Sequence, residues 1–255
     1  MARIMEAADV GDGDFVLEVG PGTGALTERL LETGATVVAN EIDTDLQAIL
    51  EQRVTPMADG RFDLVIGDIL QNKRTINPQV IDAVDRRRGG DPFKLIANLP
   101  YHIASPLLAN LVADHPAMTD AVVMIQKEVA DRLAAPPGGK AYGPLGIMIQ
   151  ALCDVRTVGV LPPSCFWPAP KVASAVVHLR RRDQPATDNP ARLSALLQTL
   201  FTKRRKQLGA ILGRSTPLPA GIRYEDRPEL LTVEQLVELA EAVGGAGPDG
   251  GAAGH

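Results

Sequence analysis

The chain is predicted to fold as an α/β domain built on a parallel sheet, followed by a small helical domain. Three observations predict this. Through residues 1–183, short runs rich in Val, Ile, Leu and Phe alternate with amphipathic stretches. After Arg182 the strand-like runs stop, and helical patterns follow a Pro- and Asp-containing linker, RDQPATDNP. The composition, 45% hydrophobic and 22% charged, is that of a globular protein and excludes a disordered chain.

Taken in order, DFVLEVG (residues 14–20), ATVVANEID (35–43), FDLVIGD (62–68) and FKLIANLP (93–100) each read as a buried strand. AVVMIQ (121–126) reads as a fifth and SAVVHLR (174–180) as a later one. Helix-like patterns cover residues 25–32 and 45–53, with Thr44 as a candidate cap for the second. The polar, basic stretch 71–90 reads as an irregular crossover, and AAPPGGKAYGP (134–144) as a loop. Beyond the linker, residues 192–200, 204–212 and 233–242 read as helices, and the apolar-poor tail 244–255 as disordered. The expected domains are therefore 1–183, 184–243 and the tail.

Charge and cysteine content narrow the setting. The net charge is −5, yet residues 180–214 carry nine Lys or Arg against two Asp, a local +7 on an otherwise acidic body. Such a segment suits a phosphate-binding face, though on charge alone a solvated helix surface plus a linker explains it slightly better. Cys153 and Cys165 are too few for a disulfide scaffold or a zinc cluster, and His102, His115, His178 and His255 show no ligand spacing, so no metal is expected. No apolar run reaches the roughly 20 residues that span a bilayer, and the first residues lack a signal core. A cytoplasmic protein without membrane contact is the expectation.

The chemistry collects at strand ends. Gly20-Pro21-Gly22-Thr23-Gly24 follows the first strand and opens a helix, where glycines admit a ligand close to the backbone. The same run fits the dinucleotide fingerprint, so alone it does not separate NAD from other adenosine cofactors. Glu41 ends the second strand 21 residues after Gly20, the distance at which an acid meets a ribose hydroxyl. Asp68 ends the third and Asn98 the fourth. Each could singly be a cap or loop residue; four together at the carboxyl edge of a parallel sheet read as a pocket for an adenosine-containing molecule. Asn98-Leu99-Pro100-Tyr101 adds a reaction. Exocyclic base amines are weak nucleophiles because the ring delocalises the nitrogen lone pair. The Asn98 oxygen and a backbone carbonyl stiffened by Pro100 can accept both amino hydrogens, and Tyr101 offers a ring on which a base stacks.

With EVGPGTGALT, NEID, GD and NLPY come QKEVADRL, YGPLGIMIQ, FWPAPKVASAVVHL and LFTKRRKQL, in that order. As an ordered set spanning about residues 4–243, they resemble the ribosomal RNA adenine N6-dimethyltransferases, and the basic LFTKRRKQL segment most resembles the small-subunit group. The resemblance implies a Rossmann-like class I methyltransferase sheet and S-adenosyl-L-methionine as methyl donor. It implies that Gly20, with Gly22 in the same loop, meets the methionine part, Glu41 the ribose, Asp68 the cofactor adenine, and Asn98 the neighbourhood of the sulfonium. It further implies that Asn98 and the Pro100 carbonyl hold the target amine and that Tyr101 and Phe166 sandwich the flipped base. Lys203, Arg204, Arg205 and Lys206 would meet rRNA. The implied reaction is dimethylation of two adjacent adenines near the 3′ end of small-subunit (16S) rRNA within a pre-30S particle, by a monomer.

Relatives carry a basic segment and a G-Q-x-F-L motif ahead of the helix containing Ile4. These 255 residues start after it, so either the true start lies upstream or part of the site is lost, and without that segment fewer cofactor contacts and weaker cofactor binding are expected. Three rivals stand beside this reading. Large-subunit adenine methyltransferases share the N-x-P-Y motif. A ribosome-assembly binding factor with weak catalysis would fit the absent motif, and an NAD-dependent oxidoreductase would fit the glycine loop alone.

Overall fold

A computed structural model of the chain describes residues 1–167 and 169–245. It forms two compact units, Met1–Asp131 with Cys153–Arg182, and Arg132–Leu152 with the chain from Asp183 onward. The stretch 132–152, grouped by sequence with the N-terminal domain, thus belongs with the C-terminal helices. Of the tail expected over 244–255, Gly244 and Gly245 instead end the last helix, and the rest, from 246 on, lies outside the described residues.

The first unit contains α1 (Ala2–Ala8), β1 (Phe15–Val19), α2 (Ala25–Glu32), β2 (Thr36–Glu41), α3 (Gln47–Arg53), β3 (Phe62–Ile66), the small hairpin β4 (Leu70–Asn72) and β5 (Thr75–Ile76), α4 (Pro78–Arg88), β6 (Phe93–Asn98), α5 (Ala104–Asp114) and β7 (Met118–Gln126). After α6 (Lys127–Leu133) and α7 (Pro144–Leu152), the chain returns to it through β8 (Cys153–Leu161) and β9 (Ser174–Arg181). The seven-stranded sheet runs β3-β2-β1-β6-β7-β9-β8. The first five strands in that order are parallel; β9 alone runs the other way, pairing antiparallel with β7 on one side and β8 on the other.

Alternation along each strand divides the core. Val16, Val37, Ile96, Val122 and Val176 join Ile4, Leu26, Leu30 and Leu50 of α1–α3 in one cluster. Leu17, Val38, Leu95 and Val123 are equally buried and alternate with them, while α4 packs on β1–β3. Apolar runs buried on both faces are what a parallel sheet demands.

Four expectations are corrected. The stretch 71–90 is not irregular: it holds the β4–β5 hairpin and α4. Asn77 caps α4 by accepting from the Gln79 N–H at 3.0 Å, Pro78 occupies the first turn, and Gly89 closes it at φ 58°. Its buried stripe, Val80, Ala83 and Val84, is short among many charges, which hides the helical period. The cap before α3 is Asp43, which accepts from the Asp45 N–H at 2.9 Å and starts a short 3₁₀ turn, Thr44–Leu46. β8 was not foreseen; it is a half-exposed edge strand whose pairing slips between Thr157 and Gly159. The helix expected over 204–212 shrinks to α9 (Leu208–Leu212), and the cations before it lie in a turn.

The second unit packs α7 against α8 (Pro190–Thr202) and α10 (Val233–Gly245). Asn189 caps α8, accepting from the Arg192 N–H at 3.0 Å. Leu193, Leu197, Leu200, Leu236 and Leu239 fill the centre with Ile147 and Tyr142, whose hydroxyl donates to the Leu231 carbonyl at 2.9 Å.

Candidate active site

The chain builds β1, β2 and β3 outward in one direction and β6 and β7 in the other. The sheet order therefore reverses between β1 and β6, and the crevice at the carboxyl ends of those strands is where such sheets bind ligands. Gly20 follows β1 and Asn98 ends β6, one on each side of that point. Glu41 ends β2, and Asp68 lies just past β3. In space the edge reads Asp68, Glu41, Gly20, Asn98.

Gly20, at φ 73°, is a glycine for a local reason. A Cβ there would touch the Pro100 ring at 3.4 Å, so the loop after β1 and the turn after β6 are in contact through it. Gly22, at φ 59°, faces open space where a Cβ would meet nothing within 4 Å. Its N–H donates to Glu41 Oε2 at 3.1 Å. Glu41 Oε1 accepts from the N–H groups of Ile42 and Asp43 at 2.9 and 3.0 Å. Three of the carboxylate's roughly four acceptor positions are thus spent on backbone, and about one remains. Asp68 is exposed; its Oδ1 accepts from the Leu70 N–H at 2.9 Å, and its carbonyl accepts from Asn77 Nδ2.

Under the loop lies a group that sequence reasoning missed. Glu18, on β1, is 1% exposed, and neither its Oε2 nor the Thr27 hydroxyl has a hydrogen-bond partner among the described residues. Burial pushes its carboxyl up to about 8; the Thr27 hydroxyl opposes the shift and the Glu41 charge adds to it. An acid inside an apolar strand was the available signal.

Beside Gly20 opens a cleft of about 300 Å³ lined by Asn98, Leu99, Pro100, Tyr101, Phe166, Trp167 and Pro170. Asn98 is exposed, and none of the described residues hydrogen-bonds its side chain. The Pro100 carbonyl accepts from the Ile103 N–H at 3.2 Å, leaving one lone pair. The Tyr101 hydroxyl is 2.8 Å from Ser174 Oγ on β9, which tethers the ring. Phe166 follows a short 3₁₀ turn, Pro163–Cys165, and its half-buried ring packs on the core cluster. Asn98, Pro100, Tyr101 and Phe166 therefore share one cleft. Gly20, Gly22, Glu41 and Asp68 share the adjoining strand edge.

That edge fits S-adenosylmethionine on its chemistry. The space above Gly22 is open, two carboxylates flank it, and both keep acceptor capacity for hydroxyl and amine hydrogens beside a cationic group. Lys203, Arg204, Arg205 and Lys206 belong to the second unit. Lys203, Arg205 and Lys206 are exposed; Arg204 is half-buried, its Nε donating to Glu229 Oε2 at 2.8 Å.

Known proteins resemble this chain in sequence and fold. The sequence profile of the family described as ribosomal RNA adenine dimethylase matches residues 1–241. The ribosomal RNA small subunit methyltransferase A of Xylella fastidiosa is 39% identical over 247 residues, covering 94% of this chain and 89% of the relative. Among solved structures, a dimethyladenosine transferase from Plasmodium falciparum superposes with a TM-score of 0.75 at 28% identity, covering 93% of this chain and 92% of that one. The 23S rRNA methyltransferase ErmE superposes with 0.69 at 25%, covering 95% and 96%. A family match over residues 1–241 and 39% identity to a relative across 94% of the chain have one reading: the chain belongs to the ribosomal RNA adenine dimethylase family.

Proposed function

We propose that this S-adenosylmethionine-dependent rRNA adenine dimethyltransferase modifies N6 of two adjacent adenines in the 3′-terminal hairpin of small-subunit (16S) rRNA. It would act as a monomer on a pre-30S particle in the cytoplasm, as a step of ribosome biogenesis. In this reading residues 1–183 carry the chemistry and the helices of 184–243 carry rRNA. The observation that carries it is the cleft shared by Asn98, Pro100, Tyr101 and Phe166 at the point where the sheet order reverses. The 39% identity to a small-subunit enzyme, against 25% to the large-subunit ErmE, supports the choice of subunit.

The proposed roles follow from the chemistry of the groups. Bound S-adenosylmethionine supplies a methyl on a positively charged sulfur that leaves as a neutral thioether. Glu41 offers its remaining acceptor position to a ribose hydroxyl, Asp68 its free oxygen to the adenine amine, and Gly20 and Gly22 close backbone approach. Asn98 Oδ1 and the free lone pair of the Pro100 carbonyl accept the two hydrogens of the target amine, which turns its lone pair toward the methyl. The tethered Tyr101 ring and the Phe166 ring hold the flipped base, whose unstacking costs a few kcal/mol. Catalysis of this kind is positioning, which can supply several kcal/mol of a barrier.

The test is transfer of labelled methyl to isolated small and large subunits by wild type and Asn98→Ala. The expected result is labelling of the small subunit alone, lost in the variant at near-normal RNA affinity. Labelling of the large subunit instead would move the substrate, and substantial turnover by Asn98→Ala would mean that another acceptor orients the amine.

A further inference from the structure

Trp167 is 98% exposed, although tryptophan is on average among the more buried residues. It lines the same cleft as Asn98, Tyr101 and Phe166. Phe166 has extended backbone, φ −125° and ψ 152°, so its side chain and that of Trp167 leave the chain on opposite sides. Phe166 turns back onto the core cluster; Trp167 stands in water. Pro162, Pro163 and Pro170 stiffen the flanks, so ordering this segment on binding costs little.

An RNA strand that gives up one base to the cleft leaves the neighbouring base with a bare face. Covering that face offsets part of the unstacking cost. A large flat ring at the cleft mouth does this for any base, since every base has a π-face. We infer that Trp167 is the stacking platform for the nucleobase adjacent to the one entering the cleft, an inference that rests on the rRNA reading above. It makes Trp167 a substrate-positioning residue for single-stranded RNA flanking the target.

Trp167 is the only tryptophan in the chain, so its own fluorescence reports the contact. The full-length protein is titrated with a synthetic RNA hairpin carrying two adjacent unpaired adenines, and with the same hairpin made abasic at the neighbouring position. Quenching with the intact hairpin and little with the abasic one is expected. On small subunits, Trp167→Ala should raise KM about 5- to 140-fold, the equivalent of about 1–3 kcal/mol. Trp167→Phe should recover most of the loss, and neither variant should shift Tm, which a structural role would move. Unchanged emission at saturating hairpin, or a wild-type KM in Trp167→Ala, overturns the platform while leaving rRNA methylation in place. Failure of the wild type to methylate small subunits overturns the reading beneath it, and the platform with it.

Discussion

Glu18 is a carboxyl held neutral inside a strand, and its environment sets a pH dependence. In the unfolded chain it ionises near 4.5, in the folded chain near 8. Between those values the folded state holds the extra proton, so this group's contribution to stability is complete below about 4.5, falls as pH rises, and is gone above about 8. Glu18→Gln removes the titrating group while keeping its shape. Urea unfolding of wild type and variant should therefore diverge in the variant's favour from pH 5 to pH 9; parallel curves would show that Glu18 is solvated. Asp68 behaves differently because it is exposed. Asp68→Ala should leave the fold intact and weaken cofactor binding by about 1.5–3 kcal/mol, while Asp68→Asn, which keeps an acceptor for Leu70, should lose less. Calorimetry on both variants reads this, and equal affinity in all three proteins would remove Asp68 from the pocket. Sequence could list Gly20, Glu41, Asp68 and Asn98, because strand ends are legible from short apolar runs. It could not show that Glu41 already gathers three backbone N–H groups, or that Ser174, 73 residues from Tyr101, tethers that ring. Those depend on strands that meet only in the fold.

The basic segment after α8 changes character once it is a turn. Four cations on one helix would spread around its circumference; here Lys203, Arg205 and Lys206 are exposed, and Arg204 is held by Glu229. Replacing the three exposed cations by Gln should weaken binding to small subunits and reduce the log–log salt slope by about 2–3, at about 0.7–0.9 per phosphate contact. Filter binding across a salt series measures this, and an unchanged slope would make these cations a solvated surface. Arg204→Gln should instead cost about 1 kcal/mol or less of stability, since its ion pair is partly exposed. Elements with a wide apolar period were legible; those with narrow or interrupted ones were not. α4 has a three-residue buried stripe among charges, and β8 is an edge strand with Gly159 at its register slip. Leu208 continued an apolar pattern through the cations, which made a five-residue helix look like nine.

At the scale of the whole chain, the second unit is discontinuous: α7 comes from residues before β8, its partners α8 and α10 from after Arg182. A chain ended at Arg182 keeps α7, most of whose residues are buried, but loses the two helices α7 packs against. It should bind a hydrophobic dye and aggregate where the full chain does not, and a truncated chain as soluble and dye-free as the full one would show that α7 needs neither helix. The order of the last strands has a parallel consequence during synthesis. β8 leaves the ribosome before β9, yet β9 is the strand that sits between β7 and β8. Until residue 181 has emerged, β8 has no partner in the sheet and β7 presents an open edge of unpaired backbone groups. The nascent protein therefore passes through a window of some fifty residues, from the end of β7 to the end of β9, in which its sheet can be templated by the wrong strand. Arrival of β9 closes that window, pairing both neighbours at once.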